Sequence, residues 1–225
     1  AVLPNITYLT ASNYQAKLDV YKPRPAQGLR PVMVLIHGGG WVAGTKEASV
    51  MQILPYLEMG WAVVNVEYRL GPVAGAPAAV EDCLCALKWV IRHSKEHNFD
   101  TSKIAVTGHS AGGHLSLTTG MLGETDLHRQ CPGNEKLKVA AIVNWYGITD
   151  VVDLLDGVNQ KSYAVAWLGS LPNRNELAKR LSPLEYVRRD GAPTITIHGD
   201  ADPTVPYQHG VRLHQALDKA GVPNQ

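Results

Sequence analysis

The chain has 225 residues, 45% of them hydrophobic and 18% charged, with a formal net charge of +1. That length predicts a single domain over 1–225 with a sizeable core, and the near-neutral balance speaks against nucleic acid or an anionic membrane surface as partner. No apolar run approaches the roughly 20 residues that cross a bilayer, and no repeat or low-complexity tract interrupts the chain.

ITYLT (6–10) and AKLDVY (16–21) alternate apolar and polar positions and predict an antiparallel edge. VMVLI (32–36), WAVVNV (61–66), KIAVT (103–107), VAAIVNW (139–145) and TITIH (194–198) are instead almost continuously apolar and rich in Val and Ile. Strands covered on both faces have that character. Helical patterns lie between them. From Pro77 to about His93, Val80, Leu84, Leu87 and Ile91 share one face, with Glu81 and Asp82 early and Arg92 and His93 late, as the helix dipole favours. A second helix starts at Ser110 and a third covers about Gln208 to Ala220, ending before Gly221. The segment at about 150–175 is broken by Gly157, Gly169 and Pro172 and is read as a small cap or lid.

This alternation predicts an α/β fold, a mostly parallel sheet with helices on both faces. Ligands bind such sheets beyond the carboxyl ends of the strands, which puts Gly38–Trp41, Ser110 and Asp202 on one rim. Cys83 and Cys85, two apart on a predicted helix, point in different directions. The three cysteines are therefore read as free buried thiols; a bridge from Cys131 to either stays open but has no sequence support. The chain opens on AVLPN, with neither a signal peptide nor a methionine. Whether a leader, a tag or a further stretch precedes it stays open, as does the compartment, cytoplasmic or secreted.

Three stretches carry candidate chemistry. GHSAG (108–112) has the G-x-S-x-G spacing and lies between a strand and a helix, where a nucleophile elbow needs it. Small residues two positions either side of Ser110 let the backbone double back, and the helix that follows aims amide hydrogens at the reacting group. HGGGW (37–41) follows a strand directly, and no Gly-Lys-Ser/Thr ending marks it as a phosphate cradle. Gly39 and Gly40, with the amide of Ala111, suit an oxyanion hole. Trp41 is read as a wall of the acyl pocket or a neighbour of it, with plain core as the alternative. HGDADPTVP (198–206) offers two carboxylates. Asp200 sits at the strand end and reads as a loop-fixing residue, whereas Asp202 lies further into the loop, within reach of a histidine from a neighbouring loop.

HGGGW, EYRL (67–70), PAAVEDC (77–83), GHSAGGHL and HGDADPTVPY, in that order, resemble the α/β-hydrolase esterases of the hormone-sensitive-lipase-like group. The closer likeness is to short bacterial members that deacylate small or carbohydrate esters, and it runs from about Pro31 to the last residue; EYRLGP departs from the commoner DYRLAP-like form. The resemblance implies the α/β-hydrolase fold, with Ser110 as nucleophile, Asp202 as triad acid, and Gly39, Gly40 and Ala111 as oxyanion hole. It also implies a histidine after one more strand, yet no histidine follows His214. Of the nine histidines, His209 is the least poor substitute, being seven residues from Asp202. His37 and His198 are read as loop supports, His114 as packed beneath Ser110, and His93, His97 and His128 as surface residues. The expectation is that the last strand and the triad histidine lie beyond Gln225, which would leave TITIH as a sheet edge inclined to pair with a second copy.

The expected function is a serine carboxylesterase acting on short-chain or carbohydrate-linked esters through an acyl-enzyme on Ser110, with a small-molecule substrate and no metal or organic cofactor. An arylformamidase-like amidase of the same fold is one alternative. A catalytically inactive binding module is the other.

Overall fold

The computed structural model describes residues 1–23, 28–123, 125–128 and 130–225. β1 (Val2–Ala11) and β2 (Tyr14–Tyr21) form an antiparallel hairpin. Its two-residue turn, Ser12–Asn13, has both residues at positive φ, 50° and 64°, the twist that matches paired strands. β3 (Arg30–Ile36) leads through a 3₁₀ turn at Lys46–Ile53 into α1 (Leu54–Glu58) and β4 (Ala62–Val66). Then come α2 (Ala78–Arg92), α3 (Ser94–His97), β5 (Phe99–His109), α4 (Ala111–Met121) and β6 (Ala141–Trp145). The chain ends with α5 (Ser162–Leu168), α6 (Arg174–Arg180), β7 (Thr194–Ile197) and α7 (Gln208–Ala220).

The strands form one sheet in the order β1-β2-β4-β3-β5-β6-β7. β2 meets β1 and β4 antiparallel, and every pairing from β4 through β3, β5 and β6 to β7 is parallel. The alternating opening segments thus became the antiparallel edge and the apolar runs the parallel centre. Residues 223–225 lie parallel alongside β7: the Thr194 amide donates to Pro223 O at 3.0 Å, the Gln225 amide to Thr194 O at 3.2 Å, and the Thr196 amide to Gln225 O at 2.8 Å.

Strand alternation divides the core. Val32, Val34 and Ile36 of β3 join the large cluster with α2, α4 and α7, while Met33 and Leu35 face a smaller cluster with Ile53, Val63 and Ala105. The 3₁₀ turn contributes Ile53 to that second face, beside β3, β4 and Ala105 of β5. Further along it, Trp145, Ile195 and Ile197 remain 40%, 38% and 38% exposed.

The cysteine expectation is corrected. Cys85 and Cys131 are disulfide-bonded with their Cα atoms 4.9 Å apart, and only Cys83 is free and buried. Comparing the two close cysteines in sequence missed the pairing, because the loop before β6 folds back onto α2 across 46 residues. Arg92 reinforces that return by pairing with Glu135 at 2.7 Å.

Candidate active site

β5 ends at His109 and α4 begins at Ala111, so Ser110 alone makes the turn between them. Its φ is +56° and ψ −121°, and its amide donates to Trp145 O at 2.9 Å. A non-glycine residue held there costs about 1–3 kcal/mol, which the surrounding packing must offset. The flanking glycines are required by close approach. A Cβ on Gly108 would sit 2.3 Å from Gly112 O, and one on Gly112 would sit 2.2 Å from Ile36 O and 2.5 Å from His37 O. A Cβ on Gly38 would in turn lie 2.8 Å from His109 O. The turn carrying Ser110 and the start of the glycine loop are therefore in backbone contact, and α4 sets its N-terminal amides, Ala111 first, beside them.

The glycine loop is moulded by the segment after β4. Tyr68 is fully buried; its hydroxyl lies 3.1 Å from His37 O and 3.4 Å from Gly38 O, and its ring stacks on His37 at 4.3 Å. Both carbonyls are thereby tied back toward the protein. Glu67 accepts the Lys46 amide at 2.7 Å and approaches His37 Nε2 at 3.6 Å, and the Gly71 amide donates to Trp41 O at 2.8 Å. Arg69 fixes this segment to α2: its side chain grips Asp82 at 2.7–3.0 Å and reaches Glu81 at 3.1 Å, and its amide donates to Asp82 at 2.7 Å. Burial raises the Asp82 carboxyl and the Arg69 charge opposes that rise. EYRL, just after β4, and the acidic pair Glu81 and Asp82 of PAAVEDC at the start of α2 are thus joined directly beside the site.

Asp202 lies part-buried in the loop after β7. One carboxylate oxygen accepts the amides of Thr204 at 2.7 Å and Val205 at 3.0 Å, and the other lies 3.6 Å from His198 Nε2. His198 Nε2 also donates to Val205 O at 3.0 Å, so it supports the loop as expected. Asp200 is exposed. Tyr146 stands between the two regions, its ring 6.2 Å from that of His109 and 6.4 Å from that of His198. Burial, and then the Asp202 charge, raises the Tyr146 phenol.

The other histidines are committed elsewhere. His114 is fully buried, accepts Trp41 Nε1–H at Nδ1 at 3.1 Å and donates from Nε2 to Leu181 O at 2.7 Å. Burial pushes it down to about 4. His209 accepts the amides of Thr149 at 3.1 Å and Asp150 at 3.3 Å at Nδ1, with Nε2 3.3 Å from Asp153. Burial and Arg212 push it to about 4 as well. It is a strut between α7 and the segment after β6, with Asp153 rather than Asp202 as its carboxylate. Burial, and then His37, lowers His109. His97, expected at the surface, is buried between Trp89 and Phe99, whose ring stacking its polar character concealed in the sequence. The His128 side chain lies outside the described residues. Among the described residues, no hydrogen bond joins a histidine to the Ser110 hydroxyl.

Of the readings open for Trp41, its surroundings favour core. It has no exposed surface, stacks on Trp167 at 4.3 Å and 14°, and donates to His114. Its φ of +61° turns it into the core, so it anchors the end of the glycine loop rather than walling a pocket. A pocket of 560 Å³ lies below the elbow, on the sparsely covered sheet face, with Leu35, Tyr56, Thr107, His109, Trp145 and Tyr146 among its walls. A second, of 250 Å³, follows the glycine loop from His37 to Gly39 and shares Gln52 and His109 with the first.

The parallel sheet, with its strand–Ser110–helix turn set against a glycine loop, is an α/β-hydrolase fold. Residues 18–217 match the BD-FAE family, and the chain belongs to it. Among curated relatives, the probable carboxylic ester hydrolase LipM of Mycobacterium tuberculosis is 33% identical over 85% of this chain and 46% of its own. An acetyl esterase of Salmonella schwarzengrund is 31% identical over 67% of this chain and 43% of its own. The chain spans about half the length of the curated relatives it matches. Among solved structures, a truncated form of a carbohydrate esterase from gut microbiota superposes with a TM-score of 0.85 at 28% identity, covering 100% of this chain and 86% of the other. Thermogutta terrifontis esterase 2, phosphorylated by paraoxon, superposes at 0.81 and 26% identity, covering 100% and 80%.

Proposed function

We propose that the protein is a serine carboxylesterase that hydrolyses short-chain or carbohydrate-linked esters. The observation that carries this reading is Ser110 at φ +56°, alone between β5 and α4 and in contact, through its neighbours, with the glycine loop. Ser110 Oγ attacks the ester carbonyl, a histidine held by Asp202 takes its proton, and the amides of Gly39, Gly40 and Ala111 hold the oxygen as it gains charge. The alcohol departs, and water releases the acyl group by the reverse steps. The printed names of the relatives, a carboxylic ester hydrolase, an acetyl esterase and a carbohydrate esterase, support the substrate class. In this reading the substrate is a small molecule, neither nucleic acid nor membrane takes part, and the protein self-associates. Among the described residues, no helix is long and apolar enough to cross a membrane.

The test is hydrolysis of p-nitrophenyl acetate by the whole protein, with the intact mass recorded before and after a fluorophosphonate probe. Ser110→Ala is expected to abolish both turnover and the mass adduct, and Asp202→Asn to lower turnover by about 10⁴. Full turnover in Ser110→Ala would overturn the reading; a loss in Asp200→Asn with Asp202→Asn unaffected would reassign the carboxylate.

A further inference from the structure

The glycine loop follows β3 and the Asp202 loop follows β7, with β5 and β6 between them in the sheet. The sheet alone therefore leaves the distance between the two loops to their own conformations. α5 closes that gap. A Cβ added to Gly40 would lie 2.8 Å from Tyr163 Cβ and 2.9 Å from its Cγ, so the ring rests directly on the glycine loop. At its other end the Tyr163 hydroxyl donates to Thr204 O at 3.2 Å. Thr204 is the residue whose amide binds Asp202 at 2.7 Å. Lys161, just before α5, donates to Pro203 O at 2.9 Å and fastens the same loop a second time. The base of α5 is held by Trp167, stacked on Trp41 and accepting the Ala76 amide at 3.0 Å. Burial, followed by the Asp202 charge, pushes the Tyr163 phenol up to about 12, which keeps it a neutral donor across the working range.

We propose that Tyr163 is a positioning residue for ester hydrolysis, a strut that sets the Gly40 amide and the Asp202 loop at their working separation. The proposal rests on the reading of Ser110 as nucleophile. Oxyanion donors act only within a few tenths of an ångström of their target, and a displacement of about 1 Å costs about 10²-fold in rate. The strut acts on the transition state, where charge develops, more than on ester binding.

Two variants of the whole protein separate the two ends of the side chain. Tyr163→Phe keeps the ring on Gly40 and removes the bond to Thr204; Tyr163→Leu removes both. The measurements are kcat and KM for p-nitrophenyl acetate and the thermal midpoint. Tyr163→Phe is expected to lower kcat about tenfold, with KM within about twofold and the midpoint unchanged, and Tyr163→Leu to lower kcat by about 10². Wild-type kcat in Tyr163→Phe would overturn the strut, as would a loss appearing only as raised KM or only alongside a collapsed midpoint in both variants. Ser110→Ala run in parallel keeps the two readings apart. If Ser110→Ala is inactive while Tyr163→Phe is unaffected, this proposal alone falls; if Ser110→Ala retains turnover, the esterase reading falls first.

Discussion

At the residue scale, histidine is the residue type whose work the structure redistributes most. His114 joins Trp41 to Leu181 as a neutral ring, donor at one nitrogen and acceptor at the other. His209 accepts the amides after β6 at Nδ1, and its Nε2 lies 3.3 Å from Asp153. Burial is the leading cause that lowers both to about 4 from an ordinary value of 6.5. The folded state therefore takes up these protons later than the unfolded chain as pH falls. Stability is full above about 6.5 and is lost as pH drops toward about 4, by on the order of 3 kcal/mol per histidine. Urea unfolding from pH 7 to 4.5 should show a falling midpoint, and His114→Gln should flatten that fall by about one proton. A slope unchanged in His114→Gln would assign the pH sensitivity to other groups.

At the element scale, the segment after β4 and the first turns of α2 behave as one unit that moulds the glycine loop. Asp82 is fully buried and its partner Arg69 nearly so, joined by side-chain and backbone contacts. Removing Asp82 leaves the Arg69 charge buried with Glu81 alone at 3.1 Å, a change that costs up to about 3–5 kcal/mol. Asp82→Asn should lower the free energy of unfolding, read from urea denaturation, by up to that amount. It should also slow fluorophosphonate labelling of Ser110, because Tyr68, next to Arg69, holds the carbonyls of His37 and Gly38. Labelling at the wild-type rate in a destabilised Asp82→Asn would uncouple the mould from the site. The elements were legible in sequence because their periods differ: continuous apolar runs for central strands, alternation for the hairpin, and a 3.6-residue stripe for α2. The part played by EYRL was not legible, because motif spacing says nothing about which strand lies beside which. β4 pairs with β3 directly, and that neighbourhood puts Tyr68 under the glycine loop.

At the scale of the whole molecule, the two faces of the sheet are unequally covered. The large cluster that includes α2, α4 and α7 lines one face from β1 to β6, whereas the other carries a small cluster around Met33, Leu35, Ile53, Val63 and Ala105. Trp145, Ile195 and Ile197, in register on neighbouring strands, present apolar surface there. Residues 223–225 cover the outer edge of β7, so it is the exposed apolar patch itself that favours association of copies. Sedimentation velocity on this 225-residue chain should show mass rising with concentration, and Ile195→Lys should restore the monomer. Self-association unchanged by Ile195→Lys would exclude this face as the contact.

The residues by themselves determined the α/β class, the strand and helix series and the rim on which Ser110, the glycine loop and Asp202 lie. These follow from local periodicity and from the rule that loops after parallel strands share one edge. Tertiary structure alone decided that Cys85 meets Cys131, that Trp41 turns into the core, that His209 answers to Asp153, and that Tyr163 spans from Gly40 to Thr204. Each is a contact between segments far apart in the chain, set by how helices settle on a twisted sheet, and no local pattern of side chains encodes that distance.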